Sequence, residues 1–300
     1  MEKVLSNKKI ILMFILPALI LYCLIIPYPV ISSVYYGFTK WNVVGQMRFT
    51  GPQNYIRLFT EDALFMNNIK NTFIFLIASI LLQQPAAFFF SILLTKGIKA
   101  EKFFRNIYFM PVVFSGVSVS LMWYFIYHPE IGIINNIIRL LGIRDFNFAW
   151  LGEGKTALLA VCVALAWQYI GYHMTIYISG ISSISTDIFE AARIDGANEW
   201  QLIKNVIYPI LMPVIQVSMV LIATSSLKAF DYIFIMTYGG PDHASEVIAF
   251  HMYNKAFVQL DYGYGSSIST VLLVLCILAS VVISKIFRDR DVDMVSKGRA

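Results

Sequence analysis

Few residues in this chain have the types and spacing that chemistry requires, and each group points to a definite reaction. Gly154-Lys155-Thr156 resembles the end of a phosphate-binding loop, where backbone N–H groups and a lysine cradle a nucleotide. The complete motif needs a glycine where Ala149 stands, and a preceding strand that nothing here supplies. His128, His173, His243 and His251 lack metal-ligand spacing. Cys23, Cys162 and Cys276 fall inside apolar runs and read as small buried hydrophobes. There are no paired carboxylates and no nucleophile-elbow serine. No catalytic residue and no metal site are expected, which leaves a membrane-embedded enzyme without support.

One polar stretch is organised. Residues 185–204 read STDIFEAARIDGANEWQLIK. Ser185 or Thr186 can cap a first short helix, and Asp187 and Glu190 suit its positive amino end. Gly196 can adopt the left-handed conformation that ends it. Ala191 and Ala192 make a shallow face for close approach, flanked by apolar Ile188, Phe189 and Ile194 and by charged Glu190, Arg193 and Asp195. A helix of about three turns is marginal alone, so it must dock on something.

The elements that hold this stretch follow from composition. The chain has 300 residues, 58% hydrophobic and 14% charged, with mean hydropathy +0.68. Soluble domains carry about 25% charged residues, so this is an integral membrane protein. Net charge +5 and pI about 9.0 come from basic clusters beside apolar runs; they read as membrane-flanking charge and not as a nucleic-acid surface. Six segments reach the roughly 20 apolar residues a crossing needs: 10–35, 71–94, 107–127, 157–182, 206–227 and 264–287. Only His173 and the terminal Lys285 are ionisable within them. The first is too long for a signal peptide and lacks an A-x-A-like site.

Fourteen of the 23 basic residues, including Lys3, Lys8, Lys9, Lys96, Lys99, Lys102, Arg105, Arg193, Lys204, Arg288, Arg290, Lys297 and Arg299, gather on one side. The positive-inside rule makes that side, with both termini, cytoplasmic. Loops of at most about 35 residues cannot form a separate core, so residues 1–300 are expected to make a single all-α bundle. Between spans three and four, Ile131, Ile134, Ile138 and Leu141 have helical spacing and predict a short helix along the outer rim.

The polar residues inside the spans mark where a hydroxyl-rich solute could pass, since such a solute wants amides, hydroxyls and rings. Candidates are Gln83 and Gln84, Ser115 and Ser118, Trp167, Gln168, Tyr169 and Tyr172, and Gln216, Ser218, Thr224, Ser225 and Ser226. Lys228 and Asp231 can pair or join an outer gate. The same hydroxyls also pack between membrane helices without any such role. An ion-coupled secondary transporter would place ionisable relays in the membrane; only His173, beside Tyr169 and Tyr172, answers to that, and a lone histidine is more often a hydrogen-bonded bundle residue.

Glu190-Ala-Ala, Asp195-Gly196-Ala197, Gln201 and Pro209 resemble the E-A-A-x-x-D-G-A-x-x-x-Q-x-F-x-x-I-x-L-P loop of carbohydrate-uptake ABC importer permeases. Ile203, Val206 and Tyr208 replace Phe, Ile and Leu, and Ser185 stands where a proline is usual. Phe230-Asp231 through Thr237-Tyr-Gly-Gly-Pro241 is similar to F-D-x-I-x-x-x-T-x-G-G-P of the same branch, and Gly51-Pro-Gln-Asn-Tyr55 resembles its G-x-x-N-Y element. The resemblance, which covers essentially the whole chain, implies a type I importer permease in a prokaryotic inner membrane. Glu190, Ala191, Ala192, Arg193, Asp195, Gly196 and Ala197 would then be a coupling helix seated in an ATPase subunit. It also implies a homologous second permease (usually a heterodimer), two ATPase subunits carrying ATP and magnesium, and an extracytoplasmic sugar-binding protein. This chain itself would hold no cofactor and hydrolyse nothing. Without a strong basic cluster in the spans, a neutral sugar is the expected cargo.

Overall fold

The computed structural model describes residues 8–42, 45–97 and 99–297, excluding the side chains of 8–10 and 288–297. Lys3 and Arg299 lie outside the described residues, as do the side chains of Lys8, Lys9, Arg288, Arg290 and Lys297. The chain is helical almost throughout and divides into two compact units, Met1–Phe65 with His251–Leu273 and Met66–Phe250 with Val274–Ala300.

The first unit begins with α1 (Lys8–Ile25) and α2 (Pro27–Tyr36). Together they supply an apolar span, Ile11–Gly37, none of whose most apolar window is buried. Cys23 is accordingly exposed and Cys276 only half-buried; Cys162 alone is the buried hydrophobe expected of all three. After the span, β1 (Thr39–Lys40) pairs antiparallel with β2 (Arg48–Phe49). The Asn54 amide of α3 (Gln53–Thr60) donates to the carbonyls of Gly37 at 2.9 Å and Thr39 at 2.8 Å, which gives the G-x-x-N-Y asparagine its physical task. It satisfies backbone acceptors left unpaired where the span stops being helical.

A second knot in this unit involves Asp62. Its carboxylate accepts from the Tyr264 hydroxyl at 2.6 Å, the Phe65 N–H at 2.9 Å and the His251 ring at 3.1 Å, while the Arg57 guanidinium lies 4.5 Å over the Tyr264 ring. Burial pushes this carboxyl up, but the bonds from Tyr264, Phe65 and His251 outweigh it and hold the group below its ordinary value. A depressed carboxylate stabilises the fold above its unfolded-state pKa and ceases to do so as pH falls through the folded value. The acid limb of thermal stability should therefore begin below about pH 4, and Asp62→Asn should remove part of it in melting scans from pH 7 to 3.

The second unit is organised around α8 (Ala157–Ser182), the most buried of the long helices, with 67% of its span window inside the protein. Around it lie α4 (Ala63–Leu94), α5 (Glu101–Val113), α6 (Gly116–Ile126), α10 (Glu199–Ile210), α11 (Met212–Leu227) and the later turns of α13 (Tyr262–Lys297). Met174, Tyr177, Ile178 and Ile181 of α8 pack with Ala87, Leu202, Leu211, Ile215 and Phe287 into one apolar core. Tyr108 of α5 approaches so closely that a Cβ on Gly171 would overlap its carbonyl.

Two expected spans are not straight. Among the described residues four helices are each long and apolar enough to cross a membrane, and up to six crossings result if each of two bent pairs is one span. Segment 107–127 is broken between α5 and α6 by 101°, and 206–227 belongs to the pair α10 and α11, bent by 70°. The first break falls at Phe114, whose backbone is extended, three residues after Pro111. The second falls at Leu211 between Pro209 and Pro213, and each proline removes a backbone donor from the ladder.

Candidate functional site

The polar stretch after α8 folds as the short helix α9 (Thr186–Ile194), as its spacing predicts, and then as the first turn of α10, which continues into the bent span and is not a second short helix. α9 ends at Gly196, whose φ is +79°. The Ala197 N–H then closes on the Ala192 carbonyl at 3.0 Å, as expected for a left-handed helix stop. Ser185 occupies the N-cap position, but its hydroxyl accepts no cap hydrogen bond. The side-chain cap belongs to the next helix: the Gln201 N–H donates to Asn198 Oδ1 at 2.9 Å, and the Asn198 N–H to Gln201 Oε1 at 2.8 Å. This reciprocal box explains the glutamine of the motif; it fixes the direction in which the chain leaves Gly196.

The two faces of this loop differ. Phe189 and Ala192 pack inward against the core that contains Ile184, Leu202 and Ile207. Phe189 is thus an anchor of α9 and not part of its apolar contact surface. Outward, Ile194 is 85% exposed and Trp200 69%, with Ile188, Glu190, Ala191, Arg193, Asp195 and Gly196 exposed beside them. Ala197 is half-buried. Glu199 pairs with Lys96 at 3.0 Å and Arg193 at 4.0 Å; at these exposures each pair contributes no more than about 1 kcal/mol. A cavity of about 450 Å³ under α9 is lined by Lys96, Glu101, Glu190, Arg193 and Glu199, among others.

The polar residues of the spans separate into two groups. Gln83, Gln168, Ser218 and Ser226 are buried within the chain. Ser115, Ser118, Trp167, Tyr172, Ser225, Lys228 and Asp231 are exposed, and Gln84, Tyr169, Gln216 and Thr224 half-buried. Lys228 and Asp231 form no ion pair among the described residues. Asp231 instead turns to the amino end of α6: its Oδ2 stands 3.3 Å from where a Cβ on Gly116 would be, beside the cap residue Ser115. His173 is buried and bonded through Nδ1 to Ser218 at 2.9 Å, and Ser218 reaches Gln84 at 3.3 Å.

Gln168 holds the broken span. Its amide donates to the Phe114 carbonyl at 2.8 Å, and its oxygen accepts from the Tyr232 hydroxyl of α12 (Asp231–Met236). Gln168→Leu would leave the buried Tyr232 hydroxyl without a bond, at about 1–3 kcal/mol, and would also remove the tie to the Phe114 carbonyl. It is expected to lower the melting temperature of the purified complex by several degrees, and Tyr232→Phe by less.

Sequence reasoning did not single out Asn68, Asn71 or Glu246. The T-x-G-G-P connection after α12 is fastened to α4 by Asn68 donating to Glu246 Oε1 at 3.0 Å and Asn71 to the Glu246 carbonyl at 2.9 Å. Partners more than 170 positions apart leave no periodic signal. Gly154-Lys155-Thr156 belongs to a turn ahead of α8, where the Thr156 hydroxyl donates to the Trp150 carbonyl at 2.9 Å. No cluster of metal-ligating side chains occurs among the described residues.

Broken apolar helices around one buried helix define a membrane transport component. The chain belongs to the family described as binding-protein-dependent transport system inner membrane component, which matches residues 63–290. It is 32% identical over 269 residues to a probable ABC transporter permease of Pyrococcus horikoshii, covering 89% of this chain and 92% of that protein. It is 31% identical over 282 residues to AmyD of Thermoanaerobacterium thermosulfurigenes, a probable starch degradation products permease, covering 94% and 95%. Among solved structures it resembles a chain of a bacterial ABC transporter involved in import of the acidic polysaccharide alginate, with a TM-score of 0.82 at 20% identity over 96% of this chain and 98% of that one.

Proposed function

We propose that this chain is one permease subunit of an ATP-driven sugar importer, and that α9 couples it to a separate ATPase. The observation that carries the coupling is the outward face of 186–200. Its apolar Ile188, Ile194 and Trp200 are exposed beside Asp195, with exposed Glu190 and Arg193 at the rim of the cavity beneath α9, while Phe189 and Ala192 root the helix in the core. A partner gripping that face moves α8 and α10 with it. Two ATPase subunits closing on ATP would draw the coupling helices of this chain and a homologous second permease together and open the passage outward. Hydrolysis would then return it. The cytoplasmic position of the loop and both termini follows the distribution of lysine and arginine.

Sugar as cargo is supported by the relatives named for starch degradation products and, in Streptococcus mutans, for multiple sugars. An extracytoplasmic binding protein is supported by the family and by the alginate transporter solved with its periplasmic protein. The exposed Ser115, Tyr172, Ser225 and Asp231 suit a neutral, hydroxyl-rich solute.

The test is ATPase activity of the reconstituted complex with and without sugar-loaded binding protein. Coupling free energies of about 1–3 kcal/mol correspond to 5–150-fold, so Glu190→Ala should cut the stimulation about tenfold while the complex stays assembled. Transport by this chain alone on a proton or sodium gradient would overturn the reading, and His173 would become the residue to study.

A further inference from the structure

The connection between α6 and α8 contains a helix that is apolar on two sides. In α7 (Ile133–Leu140), Ile134 and Ile138 are half-buried against the protein, as the spacing predicts. Ile133, Ile137, Leu140 and the following Leu141 point away, 59%, 51%, 86% and 80% exposed. Their spacing of i, i+4, i+7 and i+8 makes them one continuous stripe. Leu141, which the spacing grouped with Ile131, Ile134 and Ile138, belongs to this stripe instead, and Ile131 is 65% exposed.

The helix cannot roll to hide that stripe. Asn135, on the opposite side and buried, donates to the carbonyls of Pro129 and Phe148, both at 2.9 Å. It also accepts from the Trp150 indole at 2.7 Å. Any rotation would break three bonds inside the protein.

We infer that α7 is an interfacial helix whose Ile133, Ile137, Leu140 and Leu141 are covered by lipid acyl chains. Two observations favour lipid over a partner protein. The stripe is wholly aliphatic, whereas protein-interface anchors are rich in Tyr, Trp and Arg. It adjoins the end of a helix whose own Leu121 and Phe125 are exposed, so it continues the surface that a membrane must cover. Covering the stripe holds the α6–α8 connection at the membrane–water boundary, and through Asn135 fixes the approach to α8. The inference rests on the chain being a membrane component and not on its cargo, so its failure leaves the sugar reading standing.

The test uses the assembled importer in lipid nanodiscs with Cys23, Cys162 and Cys276 replaced. A spin label at Leu140→Cys should collide more with oxygen than with a water-soluble nickel chelate, and the order should reverse at Asn136→Cys on the rim of the stripe. A label at 140 open to the chelate means a water-exposed helix. One shielded from both reagents means a protein partner covers it, and either result overturns the inference. If the cysteine-free chain does not assemble, Leu140→Trp in the native chain should add fluorescence that bromine-bearing acyl chains quench; added fluorescence that they do not quench overturns it equally.

Discussion

Gly196→Pro is expected to reduce binding-protein-stimulated ATPase activity to the unstimulated level while the subunits still co-purify. The native φ of +79° is closed to proline, whose ring holds φ near −65°. The substitution also deletes the Gly196 N–H, which donates to the Arg193 carbonyl at 3.0 Å. A misfit of about 3 kcal/mol makes the native turn roughly a hundredfold rarer. The damage is directional. Phe189 and Ala192 still hold α9 to the core, but Asn198 and Trp200 leave the turn elsewhere and the outward face is no longer one surface. Nothing lies within 4 Å of a Cβ at 196, so Gly196→Ala meets only the left-handed cost of about 1–2 kcal/mol and should retain partial stimulation. Equal activity in both variants would mean that the shape of this turn is irrelevant to coupling.

Gly171→Ala is the second large effect, and it concerns assembly. A Cβ there would overlap the Tyr108 carbonyl, with backbone and not a flexible side chain as the obstacle. Helices α5 and α8 must then separate along a contact where small residues permit close approach. The same separation pulls Gln168 from the Phe114 carbonyl at the break between α5 and α6. Loss of more than about 4 kcal/mol is expected, visible as a collapsed yield of monodisperse complex and a lowered melting temperature. By contrast Gly180→Ala meets only side-chain carbons of Val214 and Leu211, at 3.3 Å and beyond, and should assemble. An assembled, normally melting Gly171→Ala would show that the contact yields.

Much of this was legible in the chain itself, for reasons that are local. The class and helical character follow from apolar runs about 20 residues long, because lipid forces each crossing to satisfy its own backbone. The stop at Gly196 and the helix at 133–140 follow from residue type and 3.6-residue spacing. The membrane side of each loop rests on counted charge alone, and remains a proposal.

Other features depend on groups that meet only after folding. Prolines 17, 85, 111, 209 and 213 announce that spans can kink, but not that 17 and 85 lie inside continuous helices while one pair of helices bends by 101° and the other by 70°. The 101° break is held where the Gln168 amide meets the freed carbonyl of Phe114 and the Tyr232 hydroxyl bonds the Gln168 oxygen. Polar residues in spans are equally visible whether they face a passage or a neighbour; burial divides Gln168 and Ser218 from Ser115 and Asp231. Phe189 and Ile194 are both apolar and share one short helix, yet one anchors it and the other stands free, since the core they could reach is assembled from residues as distant as Ala87 and Phe287. Sequence by itself determined what each segment must be in a membrane, because hydrophobicity and backbone preference act within a few turns. Which side chains stay available for a partner or a solute was decided by tertiary structure, because availability is whatever packing leaves uncovered.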